Sequence, residues 1–188
     1  MAYMLRSARY LSHDVLKEAV QKGDTVIDAT MGNGHDTLFL CELVGEEGRV
    51  IAFDVQQQAV DSTRERLKEN GMLDRATLYC KGHQHMDESG VQDVAAIVFN
   101  LGWLPGGDKS ITTLWETTKV ALEKALSLLK KHGVLLLCAY PGHPEGDRER
   151  SEVKDFLASL APQQYNVLHQ KFLNAGPGAP ENFIIQKQ

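Results

Sequence analysis

No apolar run in the sequence approaches the roughly 20 residues needed to cross a bilayer, and the N-terminal MAYMLRSARYLSHDVL lacks the continuous apolar core of a secretion signal. Both absences predict a cytoplasmic protein with no membrane contact. Cysteine is scarce. Cys41, Cys80 and Cys138 lie far apart with no CxxC pair, each in an apolar segment, so each is expected as a core thiol and neither a disulfide framework nor a metal site is expected. Net positive charge is also missing: 20 Lys and Arg stand against 25 Asp and Glu, a balance of -5, so any nucleic-acid contact has to come from a local patch. Nor is there an internal repeat, a low-complexity tract or a linker. The 188 residues, 43% hydrophobic and 24% charged, suit one well-buried domain over 1–188, with 1–23 as an opening helical region.

What is present is an alternation of short apolar runs with amphipathic stretches, which predicts a parallel sheet covered by helices. The spacing predicts helices over Ser12–Lys22, Asp36–Val44, Gln58–Asn70, Thr113–Lys131 and Glu149–Leu160. Strands are expected at Thr25–Ala29, Gly48–Asp54, ATLYCKG, VAAIVFNLG and GVLLLCAY, the last buried on both faces. YNVLHQKFLNA and ENFIIQKQ then pair as a terminal hairpin around GPGAP, where a dehydrogenase domain would end on a sixth parallel strand.

The loop IDATMGNGHDTLFL follows the first strand and has two close glycines, but not the third of the dinucleotide fingerprint. A strand, a glycine turn and a helix start bring backbone N–H groups to the edge of the sheet where ligands of open α/β folds bind. Gly32 and Gly34 permit close approach or positive φ. A pyrophosphate at the helix N-terminus would be opposed by the carboxylates of Asp28 and Asp36, which flank the turn. A ligand with cationic groups suits that pattern, and S-adenosylmethionine, with its ammonium, sulfonium and ribose hydroxyls, fits better than a nicotinamide cofactor. Asp54, ending the second strand about 20 residues beyond the glycines, is the expected ribose reader.

The fourth strand ends in IVFNLGWLPGGDKS. The Asn100 side-chain carbonyl and the Leu101 backbone carbonyl are candidates for orienting an amine, and Trp103 for stacking on a base or walling the pocket. The segment is similar to the Asn-Pro-Pro-aromatic motif of amino-group methyltransferases, with Leu101 and Gly102 in place of the prolines.

IDATMGNGHDTLFL, AFDVQQQAV, FNLGWLPGGDKSITT and YPGHPEG together resemble the signature blocks of the MnmM (YtqB) family, small bacterial class I methyltransferases often described as rRNA methylases. The resemblance extends over nearly the whole chain. It implies a Rossmann-like α/β fold with a mostly parallel seven-stranded sheet, helices on both faces and a C-terminal antiparallel hairpin. It also implies S-adenosylmethionine as cofactor and the tRNA anticodon stem-loop as partner. The reaction it implies is methylation of the amine of 5-aminomethyl-(2-thio)uridine at the wobble position, giving 5-methylaminomethyl-(2-thio)uridine; homodimerisation stays open. Cofactor contacts are implied at Asn33, Gly34, Asp36, Asp54 and Gln56, with His83 beside the adenine; Asp28, Met31, Gly32, Asn100 and Leu101 complete the candidate set. His35, KGHQHM and NAGPGAPENF depart from the family pattern.

An alkylammonium has no lone pair, so the enzyme has to bind or create the neutral amine, and catalysis then rests on in-line positioning. Asn100 is the first candidate for orienting the amine, with Asp108 and His143 as proton acceptors, since PGGDKS and YPGHPEG both follow strand ends. Lys109, Arg6, Arg9 and Tyr10 are candidate RNA contacts; His13 is expected to cap or pack, and Lys130 and Lys131 to complement a helix dipole. Two other readings stay open: a methyltransferase for rRNA or a small-molecule amine, and a noncatalytic cofactor- or RNA-binding module.

Overall fold

The computed structural model describes residues 7–188; Arg6, a candidate RNA contact, lies outside them. The order of elements is α1 (Ala8–Ala19), β1 (Thr25–Asp28), α2 (His35–Val44), β2 (Arg49–Asp54), α3 (Gln57–Glu69), β3 (Ala76–Cys80), β4 (Val94–Leu101), α4 (Trp115–Leu128), β5 (Leu129–Ala139), α5 (Pro144–Ala158), β6 (Tyr165–Gln170) and β7 (Glu181–Lys187). Short 3-10 turns precede β3 and β4. One sheet takes all seven strands in the order β3-β2-β1-β4-β5-β7-β6. The first five run parallel, and β7 inserts antiparallel between β5 and β6. This is the mostly parallel seven-stranded sheet with a C-terminal antiparallel hairpin expected from the sequence.

The central strands are apolar along their length because helices cover both faces. Alternate residues of β4 go to opposite cores: Ile97 and Phe99 pack with Leu135 and Leu137 under α4 and α5, while Ala96 and Val98 pack with Val26, Val134 and Leu136 under α1 and α2. Seven of the eight β4 residues are buried. Asn100 is the half-buried exception, and it stands at the C-terminal edge where the sheet meets solvent.

Several boundaries differ from the sequence expectations. The first helix begins at Ala8 with Ser7 at the cap position, and Ser12 is inside it, its hydroxyl donating to the Ala8 carbonyl at 3.1 Å. Helix α4 stops at Leu128 because Leu129 is drawn into the sheet opposite Val94. Lys130 therefore serves a strand, with its ammonium 2.6 Å from Asp24, and does not complement a helix dipole. Helix α5 starts earlier than Glu149, with Pro144 in its first turn and the Nδ1 of His143 accepting the Gly146 N–H at the cap. Cys41 and Cys138 are buried, but Cys80 is exposed because it ends the outermost parallel strand. No helix among the described residues is long and apolar enough to cross a membrane.

Candidate active site

Two adjoining cavities open at the C-terminal edge of the parallel strands, where ligands of open α/β sheets bind. The first, about 270 Å³, is lined by the ends of β1, β2 and β4, by His83 and Gln84, and by the segment from Ile111 to Leu114. The second, about 340 Å³, is lined by Arg9 of α1, by Met31, Gly32, Asn33, His35 and Asp36 of the glycine loop, and by Tyr140, Pro141, His143 and Gly178. Thr30, Gly32, Asn100, Gly102, Trp103 and Pro105 border both and form the seam between them.

In the first cavity, Asp54 accepts the Gly32 N–H on one oxygen and the Gln56 N–H on the other, both at 3.0 Å. The strand-end carboxylate thus ties the glycine loop to the start of α3. Burial pushes its pKa upward against these hydrogen bonds. His83 is buried in the cavity floor beside Phe99, and burial pushes it down to about 4, so the ring is neutral at ordinary pH. Thr118 lies 3.5 Å from its Nε2 and donates to Glu149 at 2.6 Å, which also takes the Thr113 hydroxyl. That buried chain fixes α4 and α5 behind the cavity.

The second cavity centres on Asp36, at the start of α2. One carboxylate oxygen receives Arg9 Nε at 3.0 Å and His13 Nε2 at 2.9 Å; the other receives the Asn100 side-chain amide at 2.8 Å. Burial alone would raise this carboxyl, but the hydrogen bond from His13, the Arg9 charge and the Asn100 amide outweigh it and hold it at about 2. The His13 ring is stacked on Phe39 at 3.9 Å. Asn100 is fixed through its backbone as well, its N–H donating to Thr30 Oγ1 at 2.7 Å.

The sequence-derived candidates divide into three groups. Gly32, Asp54, Gln56 and His83 meet in the first cavity; Met31, Asn33 and Asp36 in the second; Gly32, Asn100 and Trp103 at the seam. The second group consists of residues turned into the fold. Asp28 is fully buried beneath the loop, takes the Thr37 hydroxyl at 2.7 Å and the Thr30 N–H at 3.2 Å, and is pushed up to about 7 by burial and by Asp36. Gly34 lines neither cavity: its φ is 76°, and a Cβ there would come within 2.8 Å of Thr63, so glycine is required by the packing of α3 on the loop. Leu101 is buried and its carbonyl already accepts the Tyr140 N–H at 3.1 Å.

The third group lies at or beyond the rim. Asp108 is exposed, its carboxylate taken by the backbone N–H and hydroxyl of Ser110 at 2.8 Å, which hold its pKa below the usual range. His143 uses Nδ1 as a helix cap while Nε2 is buried, so it meets the cavity as a ring packed 4.4 Å from Trp103. Ser110 thus occupies one oxygen of Asp108 and leaves the other open, whereas the ring lone pair of His143 is used by the helix cap. Lys109 holds its ammonium 5.3 Å from the centre of the Trp103 ring. Tyr10 is half exposed on α1 and lies outside both cavities.

Sequence reasoning missed Arg9 and His13 as partners of Asp36, although their spacing of four residues on one helix was a readable sign of a shared face. It also gave no role to Thr30, Tyr140 or Gly178. Gly178 brings the divergent hairpin loop against Gly142 and into the wall of the second cavity.

Residues 50–186 match the profile of the family described as "Putative rRNA methylase". The chain belongs to this family. Among related sequences, the tRNA (mnm(5)s(2)U34)-methyltransferase, chloroplastic, of Arabidopsis thaliana is 38% identical over 93% of this chain and 67% of its own length. Among solved structures, a protein of the family's own description from Clostridium thermocellum is 41% identical, covers 99% of this chain and 100% of its own, and superposes with a TM-score of 0.97. A Streptococcus mutans "putative methyltransferase", solved in complex with SAH, is 36% identical over 98% of this chain and all of its own, with a TM-score of 0.90.

Proposed function

We propose that this chain transfers the methyl group of S-adenosylmethionine to the amine of 5-aminomethyl-(2-thio)uridine at the tRNA wobble position, giving 5-methylaminomethyl-(2-thio)uridine, with the anticodon stem-loop as the part of the tRNA engaged. The observation that carries this reading is the seam: Asn100 borders two cavities, one lined by Asp54, Gln56 and His83 and the other by Arg9, Asp36 and Tyr140, room for a cofactor and a second reactant on either side of it. The Arabidopsis relative, named as a tRNA methyltransferase, supports the choice of tRNA.

The residues fit the cofactor. Asp54 retains acceptor capacity for ribose hydroxyls beyond its two backbone donors, Gly32 lets the loop approach closely, and neutral His83 adds no positive charge beside a sulfonium. When bound, S-adenosylmethionine supplies an electrophilic methyl on a cationic sulfur. The protein does the rest by placement. An ammonium loses solvation on entering the second cavity and meets the Arg9 guanidinium, which offsets Asp36, so that its neutral form is favoured, and the Asn100 carbonyl oxygen accepts one of the amine hydrogens so that the lone pair faces the seam. Asp36, held at about 2, is no base near neutral pH. With the His143 lone pair used by the cap of α5, the proton released after transfer leaves at the mouth, to solvent or to the open oxygen of exposed Asp108. In this reading Trp103, exposed over 36% of its surface between the two cavities, stacks on the uracil once Lys109, now over its ring, moves off to a phosphate.

The test is transfer of labelled methyl to bulk tRNA from cells lacking this gene, followed by nucleoside mass spectrometry. Loss of 5-aminomethyl-(2-thio)uridine with gain of its methylamino product supports the reading. Unlabelled tRNA alongside labelled ribosomal RNA or small amines would overturn it in favour of those substrates.

A further inference from the structure

An asparagine amide has a donor end and an acceptor end of nearly the same shape, and only one orientation of Asn100 suits an incoming amine. With its oxygen toward the seam it accepts an amine hydrogen; flipped, it presents its own N–H groups to a donor and draws the lone pair away from the reacting carbon. Something in the site has to choose. The backbone of Asn100 is held by Thr30, but that contact says nothing about the amide.

The selecting group is in contact with it. An ionised carboxylate carries no hydrogen, so Asp36, 2.8 Å away, can only receive the Asn100 amide nitrogen, which leaves the carbonyl oxygen on the other side. A neutral partner in the same place would accept either orientation. Asp36 stays ionised because Arg9 and His13 both donate to its second oxygen, and it keeps its own rotamer because the His13 ring is clamped flat against Phe39, with an interplanar angle of 9°. Its low pKa agrees with this arrangement. Helix α1 thereby reaches the reacting centre through two hydrogen bonds, and it is anchored at its start, where the Asn182 side chain donates to the Ala8 carbonyl at 2.7 Å.

We propose that Asp36, held by Arg9 and His13, is a positioning residue for methyl transfer that fixes the Asn100 amide with its oxygen toward the seam, and is not a ligand of the cofactor. The proposal rests on the amine-methyltransferase reading above. It assigns α1 a part in the reaction, although only Arg9 of that helix lines a cavity.

A double-mutant cycle separates this from a merely structural role. Asp36→Asn keeps the size of the side chain and removes the charge, and it should lower kcat by about 10- to 100-fold while leaving cofactor Kd within about threefold. In the Asn100→Ala background the same substitution should cost nothing further, since the group it acts through is gone. Additive losses, or a fall in cofactor affinity matching the fall in kcat, would overturn the proposal. A second measurement covers a variant that fails to fold and any failure of the substrate reading: side-chain NMR of protein labelled with 15N-asparagine. The Asn100 NH2 protons should be protected from exchange in the wild type, and should lose protection in Asp36→Asn and in the paired variant Arg9→Gln, His13→Gln. Fast exchange already in the wild type would refute the clamp, whatever the substrate. If the wild type shows that protection yet transfers no methyl to tRNA, the clamp stands and the substrate assignment falls.

Discussion

The two cavities are built in different ways. The first is made almost entirely by segments that follow strand ends in chain order, and its central carboxylate, Asp54, is satisfied by backbone donors of the loop next to it. The second gathers residues from α1, the glycine loop, β4, the start of α5 and the hairpin loop, and its central carboxylate, Asp36, is satisfied by side chains alone. A pocket held by backbone tolerates sequence change around it and suits a ligand common to many enzymes. A pocket held by long-range side-chain bonds can be altered one residue at a time, which suits a reactant particular to one of them.

The comparison can be sharpened by substitution, and the largest effect belongs to the carboxyl beneath the loop that serves both cavities. Asp28, pushed from 3.8 to about 7, keeps a proton in the native state that the unfolded chain has released. Its contribution to stability is full below about pH 4 and is lost as pH rises to about 7. Asp28→Asn does not titrate, so its stability relative to wild type should rise across that window by about 1 kcal/mol per pH unit. Paired thermal melts at pH 5 and pH 8 measure this; a difference that does not change with pH would show that Asp28 is not held neutral.

Next comes the backbone-held side. Asp54→Ala should weaken cofactor binding by about 10- to 100-fold, with kcat at saturating cofactor much less affected, because two charge-assisted bonds and the ribose acceptor go together. Calorimetric titration checks it, and a kcat loss without an affinity loss would erase the distinction between the halves. On the other side, Trp103→Ala should raise KM for RNA by about tenfold through lost stacking. The smallest effect is expected at Lys109→Ala, a two- to threefold rise in KM, with a salt slope shallower by roughly one. An unchanged slope would remove Lys109 from the phosphate path.

The same contrast explains what could be read in the sequence. The sheet was legible because buried parallel strands leave short apolar runs, and the first cavity because its residues sit at strand ends within quoted motifs such as IDATMGNG and IAFDV. The position of Asn100 at a strand end was legible for the same reason. Arg9 and His13 were not tied to Asp36, because partners 27 and 23 residues away meet only after α1 docks on the sheet. Gly34 read as a ligand glycine, yet its neighbour is Thr63 on α3. Lys130 read as the end of a helix, since periodicity cannot show that pairing with Val94 stops α4 two residues earlier. His143 read as a base because a histidine after a strand end has that look; its use as a helix cap depends on backbone geometry that spacing does not reveal.

The two cavities meet at Asn100, which on the proposed function acts on the second reactant and not on the cofactor. The most direct measurement is the single-turnover rate of Asn100→Ala with cofactor and tRNA both saturating. A rate lower by about 100- to 1,000-fold, with the cofactor bound normally, is the predicted result. A rate within about threefold of wild type would contradict the account, because methyl transfer would then proceed without the group placed to orient the amine.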